Sequence, residues 1–469
     1  MKKSLIVLLS VMVVLAFAAS AFALHAVQTS EITPGLVKAG KSQIELGGEI
    51  RIRGNLSKNT DFNDDNSDTS QKYDQRVRLR TKANITDKTM GVVELETTNN
   101  VSDNGTSSYD WGKPNFESRE NRDTKRDALY IRQAYISHQF GTIGGMKAGH
   151  MLIGLGNRLF FDHTNYGDDA ILGWLAIGTG ELSLITVKMD ESNDGNATQM
   201  DDQDAYVVAF EMPINDQINV SADVAYIRNN DKSVYDEGTD FFNVGVRADA
   251  DLKVVKVKGD IEGQFGSAQE DVNGDEAKFK GMAAMLGVEG VVGPVTLRGG
   301  VAYGSGDDDP DDEDVEDFIT LLTDNQYSTF VYDYSAVGAS WTGRTNQGLT
   351  NTMYVNLGAT MKPIPDLKVS ADFYFLQANE DVALNGARDD QNSAVACTSA
   401  ARDNCQMSDE IGYEIDAKVE YQIATNLVYY IEAGYLIAGE AYDRYDATEG
   451  ENKDADDPYR VRHGLLLSF

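Results

Sequence analysis

Apolar and polar side chains take turns through most of the sequence after Ser42. In Arg76-Val77-Arg78-Leu79-Arg80-Thr81-Lys82 and in Lys256-Val257-Lys258-Gly259-Asp260-Ile261-Glu262 the charges hold one phase and the small or apolar residues the other. Leu367, Val369, Ala371, Phe373 and Phe375 alternate with Lys368, Ser370, Asp372 and Tyr374. Tyr413, Ile415, Ala417, Val419, Tyr421 and Ile423 alternate with Glu414, Asp416, Lys418, Glu420 and Gln422. A period of two predicts strands with one apolar and one polar face. The runs are separated by two kinds of connection, which alternate. One kind is short, at 86–89, 141–145, 178–180, 213–216, 293–294, 363–366 and 424–426. The other is long and acidic, at 58–71, 101–125, 153–167, 190–202, 229–240, 267–276, 306–347, 380–408 and 441–457.

The runs predict about eighteen strands, near 42–57, 72–87, 90–99, 126–140, 144–152, 168–178, 180–190, 202–213, 216–229, 240–251, 252–266, 276–292, 294–305, 348–362, 366–379, 409–423, 426–440 and 458–469. Merging one weak pair would make sixteen. The expected fold is all-β, a transmembrane antiparallel β-barrel with short periplasmic turns and long acidic extracellular loops. A β-sandwich has no reason to segregate its loops in this way.

Both ends of the chain agree with this reading. Lys2 and Lys3, the apolar run Leu5–Ala18 and Ala21-Phe22-Ala23 read as a secretory signal over residues 1–23, followed by a short periplasmic extension over 24–41 and the barrel over 42–469. In the final stretch YRVRHGLLLSF, Tyr459, Val461, Leu465, Leu467 and Phe469 take one phase and Arg460, Arg462, Gly464 and Ser468 most of the other. Such a strand closes a barrel by pairing with the first. It also resembles the signal read by the barrel-assembly machinery of Gram-negative bacteria, with His463 where an apolar residue is usual. The expected location is the cell outer membrane, among its lipid and lipopolysaccharide.

Hydrophobic residues make up 41% of the chain, with 43 Gly, 22 Tyr, 8 Pro and 2 Cys. The mean hydropathy of −0.37 is low for a chain of this length built around a dry core. It suits strands that face water on one side. A net charge of −34 excludes nucleic acid as a partner.

On the predicted phase the charges point into the lumen, because Lys or Arg on the lipid face costs about 2–4 kcal/mol near the midplane. The inward cations are Arg51 and Arg53, then Arg76, Arg78, Arg80 and Lys82, then Arg132, and finally Arg460 and Arg462. Closure would bring them into one basic wall. The inward acids Asp223, Asp249, Asp260, Glu262, Glu414, Asp416, Glu420 and Glu432 are expected on the opposite side, giving a transverse field that selects solutes. The alternative is that inward charges solvate the lumen and pair with one another.

Three stretches resemble the alginate-export porin family: RVRLRTKANITDKTMGVVELE (76–96), LYIRQAYISHQFGTIGGMKAGHMLIGLGNRLFFDH (129–163) and YGSGDDDPDDEDVEDF (303–318). The resemblance implies an eighteen-stranded channel with a basic constriction that passes acidic polysaccharide or other anionic solutes. By position, Arg78, Arg80, Arg132 and Arg158 would be the constriction's cations. Gly149-His150-Met151 stands where the family has Gly-Arg-Gln, so small anions remain an alternative to polysaccharide.

Three connections carry further expectations. The segment 153–167 is too apolar for a solvated loop and is expected to fold into the lumen, carrying Arg158, Asp162 and His163. The cluster Asp307, Asp308, Asp309, Asp311 and Asp312 has the oxygen density of a Ca²⁺ site without EF-hand spacing, so a self-repelling acidic loop is the other reading. Cys397 and Cys405 share one extracellular connection and are expected to form a disulfide. No other cofactor is implied.

With five His and no Gly-x-Ser-x-Gly, HExxH or P-loop, an enzyme is not expected. A porin is the leading reading. Its rivals are a barrel that sheathes a partner such as a periplasmic multihaem cytochrome, and an adhesin with acidic loops.

Overall fold

The computed structural model describes residues 35–39, 42–64, 68–99, 109–110, 127–190, 202–229, 239–268, 277–308, 314–322, 329–332, 348–382, 408–446 and 451–469. The signal segment, Asp309, Asp311, Asp312, Cys397 and Cys405 lie outside them.

Eighteen strands form the wall: β1 (Ser42–Lys58), β2 (Ser70–Asn84), β3 (Thr89–Asn99), β4 (Asp127–Gln139), β5 (Gly144–Gly154), β6 (Phe161–Ile177), β7 (Gly180–Asp190), β8 (Gln203–Asn215), β9 (Ile218–Asn229), β10 (Thr239–Asp251), β11 (Val255–Ala268), β12 (Met282–Val292), β13 (Val295–Gly304), β14 (Thr352–Ile364), β15 (Leu367–Val382), β16 (Ser408–Ala424), β17 (Leu427–Ala438) and β18 (Tyr459–Ser468). Each pairs antiparallel with the next. The sheet closes where β18 pairs with β1, from Glu49↔Ser468 to Lys58↔Tyr459. Closure leaves no wall edge unpaired along this register, which a membrane span requires.

The eighteen-strand expectation holds, with two differences. β6 begins at Phe161, so 161–167, expected as loop, is strand. The reason is the sharp turn before it, where Gly156 (φ +53°) and Arg158 (φ +66°) adopt left-handed backbone and return the chain to alternation at Phe161-Asp162-His163. The run 276–292, expected as one strand, is broken at Lys280-Gly281. Its first part, Ala277–Phe279, pairs antiparallel with β11 and parallel with Asp314–Val315. The segment Gly35–Ala39 folds back on Ser42–Leu46 and covers the part of β1 that lies beyond the end of β18.

The phase agrees with the expected faces. Leu79, Val93, Ile136, Ile171, Val246, Ile261, Phe373, Ile415 and Leu465 are exposed on the outer face. Arg76, Glu96, Asp260, Tyr374 and Glu414 are buried on the inner one. Tyr206, Tyr226, Phe242 and Phe265 stand in register on β8–β11 with successive centroids 6.1, 4.9 and 5.3 Å apart, an outward aromatic row as at a lipid–water boundary.

At the seam the Phe469 ring lies over Gly48. Gly48 N donates to Phe469 O at 2.7 Å, and Phe469 N donates to Gly48 O at 3.0 Å. A Cβ on Gly48 would come within 2.5 Å of the Arg78 carbonyl oxygen and 2.7 Å of the Phe469 ring. Gly48→Val is therefore expected to weaken closure by about 1–3 kcal/mol, read as a lower urea midpoint for loss of the compact, fast-migrating form on gels. An unchanged midpoint would show that the Phe469 ring and the β1–β2 backbone both give way without cost.

Candidate functional site

The inward cations expected from the sequence line β1, β2, β4 and β18, placed by alternation on β1, β2 and β18. From the periplasmic end, Lys82 pairs with Glu45 at 3.3 Å, Arg80 approaches Glu94 at 3.9 Å, and Arg78 is hydrogen-bonded to Glu96. Arg76 pairs with Glu49 at 2.6 Å. Toward the outside, Arg53 pairs with Asp74 at 2.9 Å, and Arg462 with Glu432 at 2.8 Å and Asn55 Oδ1 at 2.8 Å. From Lys82 to Arg76 the ladder rises roughly 20 Å, at ~3.4 Å per residue.

This differs from the expected bare basic wall facing distant acids. Glu45, Glu49, Asp74, Glu94 and Glu96, which the sequence reading did not single out, stand among the cations. The register makes them partners: Glu45↔Lys82, Glu49↔Arg78, Arg53↔Asp74, Arg80↔Glu94 and Arg78↔Glu96 are cross-strand neighbours. Mutual attraction and the cost of leaving half-buried charges uncompensated favour this interleaving.

Arg51 is the exception. Its cross-strand neighbours are Arg76 and Leu466. Among the described residues no carboxylate forms an ion pair with it, and its buried Nε has no hydrogen-bond partner. Arg51 is only partly exposed, whereas Arg80 and Arg158 keep more accessible charge, with side chains 45% and 44% exposed.

The expected acids are held in separate ways. Asp260 and Glu262, with Asp223, surround Arg247 on β10, and all four side chains are almost fully buried. Glu432 is shared by Arg462 and Lys418. Asp416 stands opposite Gly434. Glu414 accepts backbone N–H bonds from Phe330 (2.6 Å), Val331 (2.6 Å) and Tyr332 (2.8 Å). Asp307 is buried and Asp308 exposed; among the described residues no group of three or more such side chains has a metal-binding arrangement.

Two lengths of connection narrow the lumen. The 154–160 turn folds inward, as its apolar content led us to expect. Leu155, Leu159 and Phe160 are buried, and Asn157 N donates to Asp260 Oδ2 at 3.3 Å on the far wall. Gly156 lies against the Arg247 guanidinium, in space that a Cβ would take. Leu321–Leu322 adds to it by pairing parallel with Phe161-Asp162. The second length, Thr329–Tyr332, had no reading from sequence. It sits against β16–β18, with Phe330 under Arg462 (4.8 Å) and Arg460 (5.7 Å) and its backbone on Glu414. Phe62 and Tyr442 stack at 3.8 Å and belong to the same buried apolar cluster as Val331 and Tyr332.

His150, at the family's Arg position, bonds Asp169 at 3.0 Å on the outer face. Its phase is that of Ala148, opposite the exposed Ile171, so the substitution does not remove a lumenal cation.

The sequence profile of the alginate-export family matches residues 42–456. Among solved structures, Pseudomonas aeruginosa OccK2 (OpdF) in complex with glucuronate is similar at a TM-score of 0.53 and 12% identity, covering 91% of this chain and 98% of that one. Pseudomonas aeruginosa OpdK with vanillate is similar at 0.51 and 10% identity, covering 90% and 98%. Acinetobacter baumannii OccAB1 is similar at 0.53 and 11%, covering 90% and 97%. No curated protein sequence matches the chain.

Proposed function

The chain belongs to the alginate-export family and has the barrel of a Gram-negative outer-membrane channel, and on that premise we propose that it passes small hydrophilic anions, carboxylate sugars among them, along the ladder of β1 and β2. Family and fold are those of channels rather than enzymes. The observation that carries the proposal is Arg51: a lumenal guanidinium without a carboxylate partner among the described residues, midway along a wall whose other cations are largely paired. A paired cation offers a passing anion little, because its field is already cancelled at close range. An unpaired one holds an anion at a point where the pore must also let it go.

Among the described residues, the connections at 154–160 and 329–332 rest on β10–β11 and β16–β18 rather than on β1 and β2. Arg80 lies below Arg51 on the same wall, and Arg158 sits on the inward turn. The anionic ligands named for OccK2 and OpdK, glucuronate and vanillate, support a carboxylate solute by analogy of fold alone.

The test is block of chloride current by glucuronate in planar bilayers, with glucose as the uncharged control. Glucuronate, and not glucose, is expected to block. Arg51→Ala should raise the half-blocking concentration about tenfold, the loss of one charge-assisted contact. Equal block by glucose, or an unchanged response in Arg51→Ala, would refute the proposal.

A further inference from the structure

Arg132 is expected from sequence to be one of the cations that meet the solute. Its surroundings assign it a different task. The β3–β4 ladder slips by one residue, Glu94 facing Gln133 and Leu95 facing Ile131, so Arg132 is the extra residue of a β-bulge. Leu129 and Ile131 are exposed outside on one side of the slip and Ile136 on the other. Arg132 and Gln133, consecutive in sequence, therefore both point inward, and they divide the Glu94 carboxylate between them at 2.6 Å each.

The remaining donors of Arg132 reach past β5 on the lumenal side. Nε donates to Asn165 O at 2.8 Å and Nη2 to Thr164 O at 2.8 Å, with Glu96 at 3.3 Å. Asn165 and Thr164 belong to β6, which in the wall is separated from β4 by the whole of β5. The first residues of β6 must therefore lean inward to meet the guanidinium. They lead directly from the 154–160 turn, and Thr164 also accepts from Arg158 at 3.3 Å. Arg132 is buried, and its three nitrogens are spent on four acceptors from two strands.

We propose that Arg132 is a positioning residue: it clamps the base of the inward turn against the basic ladder, and so sets the width of the passage rather than its charge preference. This rests on the reading that solutes pass along that ladder. A bulge that re-aims one side chain at the cost of a ladder pair is the local device that makes it possible. The geometry demands a planar fork. A lysine keeps the charge, but its single ammonium on a flexible stem cannot hold the Glu94 carboxylate and two β6 carbonyls in those directions at once.

The experiment compares Arg132→Lys, Arg132→Ala and wild type as single channels in planar bilayers, each first shown to be folded by its heat-dependent gel mobility. Conductance and open-channel current noise report the turn's position; the zero-current potential in a KCl gradient reports charge preference. Both substitutions should raise conductance and noise to a similar extent, while the zero-current potential stays close to wild type. If Arg132→Lys behaves as wild type in all three, charge alone is what matters and the clamp is refuted. It is equally refuted if neither substitution changes conductance or noise, or if Arg132→Ala abolishes the wild-type charge preference. A wild-type channel without anion preference would defeat the proposed function, yet conductance and noise would still decide the clamp.

Discussion

Arg247→Ala should lose about 3–5 kcal/mol of stability, the usual cost of removing the one cation from a buried ionic cluster. Asp223, Asp260 and Glu262 converge on that guanidinium, and the four side chains are at most 3% exposed. Without it, three carboxylates face one another away from water. The backbone N–H of Asn157 would then be the inward turn's contribution to an anionic cluster it could not neutralise. The expected readout is a clearly lower urea midpoint for the compact form, accompanied by noisier current because the 154–160 turn loses the surface it rests on. Arg247→Lys should fall between Ala and wild type, since it restores charge without the fork. A stability within about 1 kcal/mol of wild type for the Ala variant would mean that water or protons already carry the cluster.

Glu414→Ala should enlarge the pore. Its carboxylate is fully buried and receives three consecutive backbone N–H groups of Thr329–Tyr332. Removing it orphans all three, at about 1–3 kcal/mol each for buried donors. That is enough to release the segment from β16–β18 and withdraw Phe330 from Arg460 and Arg462. Single-channel conductance is expected to rise roughly twofold or more as filled lumen becomes water, with anion preference shifted upward by the loss of the Glu414 carboxylate. Glu414→Gln, which keeps an acceptor oxygen without the charge, should give a smaller rise. Unchanged conductance in Glu414→Ala would show that Phe330, Val331 and Tyr332 are held by their apolar contacts alone.

The barrel was legible because its physics is written along one chain. A lumenal Arg or Lys at every second position of 76–82 and an apolar residue at every second position of 413–423 fix the faces, and alternating short and long connections fix the count. The pairing of the ladder was not legible. Glu94 and Glu96 lie within the very stretch that carries the family resemblance, but their partners depend on the register between strands, which a single sequence does not contain. Arg132 had a readable signal. The apolar phase of 129 and 131 gives way to that of 134 and 136, and such a slip predicts a bulge. The lumenal segment at 329–332 also had one, an apolar Phe-Val-Tyr island within a long acidic connection. What it anchors to, Glu414, stands three strands further on, and no local pattern points there.

The central claim is that the lumen is an open passage whose accessible charge is positive. It is tested most directly by the zero-current potential of the purified wild-type barrel in a planar bilayer under a KCl gradient. The account predicts a steady current whose zero-current potential has the sign of chloride preference, and a loss of that preference in Arg51→Ala. Cation preference would place control with the acidic loops rather than the ladder. No current at all would contradict the open passage and favour a barrel filled by a partner protein.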